Sequence, residues 1–282
     1  MTSTIVAFTD FSEAADAGLE RSASLAACHG WQLRIVYAAA NGKPLEPGAL
    51  ARLGLCSRQL ARRHNLPVEA ASNMVMSEAQ LIDATSAAQL VVTGLAPDAR
   101  PPWFWRDTVI DRLMRNCHCP ILIVRKAQDG PYRRMVVGVD FSARSRELVN
   151  RACEIFPGTE LHLFHAIGRS DEARLRSSDA SVEAIKAYRR QVNATAEARL
   201  FRLADSLDTR RNRVMFFVGY GDTALQTSVQ QEAVSAELIV VGRQRQSCLL
   251  EMFFGSVSRR LVRISGCDLL IVPQRAERMF RG

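Results

Sequence analysis

The stretch Leu238-Ile239-Val240-Val241-Gly242, followed by a basic loop and then by Gly255-Ser256 at the head of an apolar-periodic segment, decides how the chain is read. Consecutive aliphatic residues ending in glycine fit a strand buried on both faces. The expected order is strand, glycine turn, loop and helix start. Backbone N–H groups at such a helix start point outward, and the helix dipole favours an anion there, so phosphate fits. Glycine lets backbone approach a ligand closely, and the Ser256 hydroxyl can cap the helix or touch the ligand. Strand-to-helix glycine turns also occur in ordinary loops. The stretch gains its force from the rest of the chain, which repeats around it.

The chain has 282 residues, enough for two domains and a sizeable core. Hydrophobic residues make up 48% and charged residues 23%, a globular composition that excludes a disordered chain. No run is long and apolar enough to span a bilayer. Met1 to Ser12 lacks the basic start, apolar run and cleavage site of a signal peptide and reads as a strand, so a cytoplasmic location is expected. The formal charge is +8, almost all of it from arginine; only Lys43, Lys126 and Lys186 are lysines. The arginines are scattered through helices with no basic stripe interleaved with aromatics, which argues against nucleic acid. The seven cysteines are odd in number and irregularly spaced, unlike a disulfide framework. Cys117-His118-Cys119 invites a metal reading, but no second Cys/His pair at ligand spacing lies nearby in sequence, so buried thiols are expected.

Read in order, Thr4 to Thr9 is an apolar strand ending in Asp10-Phe11-Ser12, good helix-entry chemistry. A helix from Glu13 to Cys28 ends at His29-Gly30. Trp31–Ala39 is a strand, Gly48–His64 a helix, Val68–Met76 a strand, and Ser77-Glu78 starts a helix to about Ala87. Gln89 to Gly94 is a short buried strand. A loop with Pro97, Pro101, Pro102, Trp103, Phe104 and Trp105 follows, then a helix opened by Asp107-Thr108 and a strand at Pro120–Val124. After a polar linker the pattern restarts. Met135 to Val139 leads into Asp140-Phe141-Ser142, repeating the earlier Asp-Phe-Ser. Leu161–Ile167 matches the second strand, Gly242 matches Gly94, and Cys267-Asp268-Leu269-Leu270-Ile271-Val272 matches Cys119-Pro120-Ile121-Leu122-Ile123-Val124. The second half is longer mainly between its second and third strands. There Asp171 to Leu207 reads as one helical region, with Val182, Ile185, Val192, Ala196, Leu200 and Leu203 near helical spacing. Apolar strands alternating with helices imply parallel sheets covered on both faces, with ligands at the strands' carboxyl ends. Asp10, Asp140, Gly94 and Gly242 all sit at such ends.

On these residues the chain resembles the universal stress protein family, duplicated in tandem: residues 1–127 form one domain and 133–276 the other. The resemblance rests on a first strand ending in Asp, a later strand ending in glycine, a Gly-Ser at a helix start, and a Cys-led final strand. It implies an α/β, Rossmann-like fold in each half, a five-stranded parallel sheet with helices on both faces. It also implies binding of ATP or a related adenine nucleotide. By resemblance, Asp140 contacts the ribose or adenine side, Val139 and Ala166 line the adenine pocket, and Val241 and Gly242 give backbone contacts. Gly255, Ser256 and Val257 then hold phosphate. The family pattern wants a second glycine where the sequence has Gly242-Arg243-Gln244-Arg245. Arg245 there either blocks the pocket or meets phosphate with its guanidinium; solvated loop charges are the ordinary fate of Arg243 and Arg245. The first half departs further. Pro97 holds the second glycine position and donates no N–H, and Asp107-Thr108 replaces Gly-Ser, setting a carboxylate against phosphate. This half is expected not to bind ATP, its aromatic loop closing over the cleft. The family's final strands commonly pair across a dimer, so an intramolecular pseudo-dimer is expected, and two chains associating as a homodimer is a further expectation.

No catalytic constellation is legible. The five histidines are isolated, His165 reads as a satisfied core histidine, and neither a Gly-x-Ser-x-Gly elbow nor a phosphate loop ending in Gly-Lys-Ser/Thr occurs. Asp140 alone is a poor base for phosphoryl transfer. The leading expectation is a non-enzymatic stress-response protein that binds a nucleotide in its second half, without a metal. The alternatives are a nucleotide-free scaffold for protein partners or an apolar small molecule, and a slow ATPase switch.

Overall fold

The computed structural model describes residues 3–39, 46–96, 108–127, 130–168, 181–207, 213–244 and 257–274. By contact the chain divides into two units, one built from Met1–Gly130 with Gly266–Pro273 and the other mainly from Pro131–Ser265.

In the first unit β1 (Thr4–Thr9), β2 (Gln32–Tyr37), β3 (Val68–Ala70), β4 (Leu90–Gly94) and β5 (Ile121–Val124) pair in parallel in the order β3-β2-β1-β4-β5. The helices are α1 (Glu13–His29), α2 (Ala49–His64), α3 (Glu78–Thr85) and α4 (Val109–Asn116). Ser12 caps α1 by accepting from the Ala15 N–H, and Gly30 ends it in the left-handed conformation that glycine adopts without strain. β3 stops at Ala70, short of the expected Met76. The chain bends at Ser72-Asn73, residues that favour turns, and meets β2 again where the Val75 N–H donates to the Tyr37 carbonyl.

β10 (Asp268–Gln274) clusters with this unit because it pairs antiparallel with β5, Leu269, Leu270 and Ile271 lying opposite Ile123, Leu122 and Ile121. All six side chains are fully buried, each contributing about 1.5–3 kcal/mol by removal from water. The buried Asp268 carboxylate accepts from the backbone N–H of Arg125 at 2.8 Å, satisfying a donor that the ladder leaves over.

The helix-start chemistry of α3 yields a direct expectation. Ser77 and Gln80 form a reciprocal capping box, Ser77 Oγ accepting from the Gln80 N–H and the Gln80 side chain accepting from the Ser77 N–H. Ser77→Ala therefore lowers stability by about 1 kcal/mol, read as a shift of the urea midpoint with an unchanged slope.

The second unit has β6 (Arg134–Gly138), β7 (Glu160–Ile167), β8 (Val214–Tyr220) and β9 (Leu238–Gln244), all parallel, in the order β9-β6-β7-β8. Its helices are α5 (Ser145–Ile155), α6 (Val182–Asp205), α7 (Thr223–Ala233) and α8 (Val257–Ile264). α6 is the long helix expected between the second and third strands; Ala196 and Leu200 of its apolar stripe are buried, whereas Val182 is exposed. β9 runs through Gly242 to Gln244, so Gly242 lies within the strand and is not the turn. α8 begins directly after Ser256, where the sequence places a helix start. No described helix is long and apolar enough to cross a membrane.

Candidate functional site

In the second unit the chain passes from β6 to β7 on one side, while β9 lies on the other side of β6. The carboxyl ends of β6 and β9 therefore flank the point where strand order reverses, the crevice in which open α/β sheets take ligands. Gly138 stands opposite both Val241 and Phe164, so residues 139–142 emerge between the ends of β9 and β7. Val139 is buried, and its N–H donates to the Phe164 carbonyl at 2.9 Å.

Asp140 is fixed by local hydrogen bonds. Its Oδ1 accepts from the Ser142 N–H and from the Ser145 hydroxyl, each at 3.0 Å. Partial burial pushes its carboxyl upward, but the bonds from Ser142 and Ser145 outweigh burial and hold it below the ordinary 3.8. Because the folded value is depressed, the associated stabilisation is fully present above pH 3.8 and is lost as pH falls through the folded value. Carboxyl NMR should place the Asp140 midpoint below 3.8, and Ser145→Ala should move it upward. A midpoint unmoved by that substitution would dismiss the Ser145 bond as its cause.

Phe141 adopts φ 59°, uncommon for a bulky residue. Its ring centroid then lies 4.1 Å from that of His165, while His165 Nδ1 donates to the Val139 carbonyl at 2.8 Å. Burial holds the His165 imidazole below its ordinary value, so it is neutral near pH 7. From α6, the exposed Arg199 guanidinium stands 5.4 Å from the Phe141 ring centroid. Ala166 of β7 and Gly242 of β9 are half-buried, and Val241 is buried. Val257, the first residue of α8, is partly exposed. Arg245, Gly255 and Ser256 lie outside the described residues. So does the aromatic loop of the first half with Pro97 and Asp107.

Arg243 corrects an expectation. It is 6% exposed rather than a solvated loop charge, because β9 continues past Gly242 and strand alternation turns residue 243 to the same face as Val241. The parts that sequence reasoning missed are the Phe141–His165 pair, the Ser145 anchor and Arg199. The repeated Asp-Phe-Ser carried a signal for the first. Nothing in the spacing pointed to Arg199, which reaches the site from a different helix. Among the described residues no group of three or more His, Cys, Asp or Glu side chains could hold a metal ion.

The first unit repeats this geometry. Phe11 also has φ 59°, and its ring stacks on Tyr37 with centroids 5.0 Å apart. The Arg52 guanidinium lies 4.2 Å from the Phe11 ring centroid and is tied to Glu46 at 2.7 Å. The counterpart of Arg199 is thus closer to the ring and neutralised by a carboxylate. At the reversal point of this sheet, backbone of α1 lies directly against Gly94.

The universal stress protein family model matches residues 131–273. The chain belongs to this family. Solved structures extend the likeness in fold to the whole of this universal stress protein. It is 15% identical to a universal stress protein from Archaeoglobus fulgidus DSM 4304, with 96% of each chain covered and a TM-score of 0.69. It is 14% identical to a Pseudomonas aeruginosa PAO1 protein of unknown function, covering 96% of this chain and 92% of that one at a TM-score of 0.61. At such identities these likenesses concern fold, and they agree with two universal stress domains in tandem. No curated protein matches the sequence.

Proposed function

We propose that this universal stress protein is a non-enzymatic ligand-binding protein whose second repeat, residues 133–276, takes one adenine nucleotide, ATP or a close relative, at the carboxyl ends of β6, β7 and β9. The observation that carries the reading is Asp140. It is a carboxylate held ionised and oriented by Ser142 and Ser145 at the reversal point of the sheet. Such a group accepts hydrogen bonds from a ribose or an adenine amino group. Val139, Ala166 and Val241 supply apolar surface beside it, and Gly242 a backbone edge. The helix start at Gly255, Ser256 and Val257, with Arg245, meets the phosphates. The first repeat, residues 1–127, stays empty of nucleotide because Phe11, Tyr37, Arg52 and Glu46 already satisfy one another in the corresponding place. The protein works in the cytoplasm and couples its ligand to protein partners under stress.

The test is a census of bound small molecules. Protein purified without added nucleotide is denatured, and what it releases is identified by mass spectrometry. An adenine nucleotide is expected from wild type and not from Gly255→Asp, which places a carboxylate among the phosphates. Release of an apolar compound instead, or of nothing from a protein that also ignores added ATP, would favour the scaffold reading.

A further inference from the structure

We propose that Cys117 and Cys119 form an oxidisable dithiol that closes to an intramolecular disulfide at the foot of β5. Their sulfurs lie 3.2 Å apart. Cys117, the residue that ends α4, has extended backbone at φ −69° and ψ 136°. Pro120 biases Cys119 to extended backbone as well. Residues two apart on extended chain point to the same face, so both thiols turn inward while His118 between them is exposed. An extended span of two residues is about 6.6 Å, inside the upper end of the range that a disulfide tolerates between Cα atoms. Closure asks the sulfurs to approach by roughly 1.2 Å, to the usual 2.05 Å.

The pair reacts through proximity rather than acidity, since the carboxyl end of α4 disfavours a thiolate at Cys117. Cys119, 9% exposed against 1% for Cys117, is the sulfur that an oxidant reaches first. The oxidant is a hydroperoxide. The Cys119 thiolate attacks its terminal oxygen, the O–O bond breaks, and the leaving oxygen departs as water or an alcohol, leaving a sulfenic acid. The Cys117 sulfur then attacks the Cys119 sulfur, the S–O bond breaks, and the oxygen leaves as water. In total two thiols lose two electrons and two protons, and one hydroperoxide is reduced. The new bond ties the end of α4, where the Cys117 N–H donates to the Leu113 carbonyl, to the start of β5, where the Pro120 carbonyl accepts from Val91.

Trypsin releases residues 116–125 as one peptide that holds these two cysteines and no other. The full-length reduced protein is treated with hydrogen peroxide, blocked with N-ethylmaleimide under denaturing conditions, digested and weighed. The expected peptide is two hydrogens lighter, carries no maleimide, and becomes doubly labelled when dithiothreitol precedes blocking. In Cys119→Ser, shown folded by its melting curve, Cys117 should stay fully labelled at the same peroxide dose. The exposed Cys28 is the control for general oxidation. A doubly labelled peptide after peroxide has consumed Cys28, or a crosslink joining 116–125 to a different peptide, would overturn the proposal.

Discussion

Gly94→Ala is expected to destabilise the first unit by about 3 kcal/mol or more, at or beyond the upper end of what overpacking usually costs. A Cβ at this position would sit 1.9 Å from the Ala14 carbonyl oxygen, 2.3 Å from its carbon and 2.6 Å from the Ala15 nitrogen. All three are backbone atoms of the first turn of α1, so no side chain can swing aside. That turn is held by the bond from the Ala15 N–H to Ser12 Oγ, and α1 packs along β1 and β4. Gly18 tightens the same contact from the helix side, its own Cβ position lying 3.1 Å from the Gly94 nitrogen. Urea denaturation reads the effect. The control is Gly54→Ala in α2, where a Cβ meets only the tip of the Arg58 side chain at 3.7 Å; there alanine should stabilise by about 0.5–1 kcal/mol through helix propensity. A Gly94→Ala protein as stable as wild type would mean that α1 does not close on β4 as described.

Asp140→Asn should weaken adenine-nucleotide binding by about tenfold to a hundredfold while the protein stays folded. The amide keeps an oxygen that can accept from Ser142 and Ser145, so the turn after β6 survives. What disappears is the charge. A hydrogen bond to a charged group contributes about 1.5–3 kcal/mol, and about 1.4 kcal/mol corresponds to a factor of ten in affinity. The paired substitution Asp10→Asn in the first unit should change nothing in binding, because the proposal gives that unit no nucleotide. Loss of binding in Asp10→Asn, with Asp140→Asn unaffected, would reverse the assignment of roles to the two halves.

Much of this architecture is legible in the sequence. Aliphatic runs such as Leu90–Val92 and Leu238–Val241 signal buried parallel strands, and Ser12, Ser77 and Thr108 stand at helix starts and cap them. Capping and patterning are local, so sequence carries them. The misreadings have non-local or competing causes. β3 ends early because Ser72-Asn73 favours a bend over a ladder that the apolar residues after it seemed to continue. Gly242 looked like a turn residue, yet β9 runs through it, and Arg243 is buried as a result. Gly94 is recognisable as the counterpart of Gly242 at a strand end, but the close approach of α1 backbone to it is a tertiary contact that sequence does not show. The candidate site was legible in part. Asp140 and its neighbours follow from the repeated Asp-Phe-Ser, but Arg199 reaches the Phe141 ring from a separate helix, and the contacts among Phe11, Tyr37, Arg52 and Glu46 depend on three separated segments meeting. The left-handed backbone of Phe11 and Phe141 is written in both copies of the motif and would not be guessed for phenylalanine.

The most direct test of the central claim is a calorimetric titration of ATP into the full-length protein freed of any retained ligand. The account predicts a single binding event with one nucleotide per chain, weakened in Asp140→Asn and preserved in Asp10→Asn. Two equivalent sites per chain, or no heat at any temperature tried together with no protection against thermal unfolding, would contradict it.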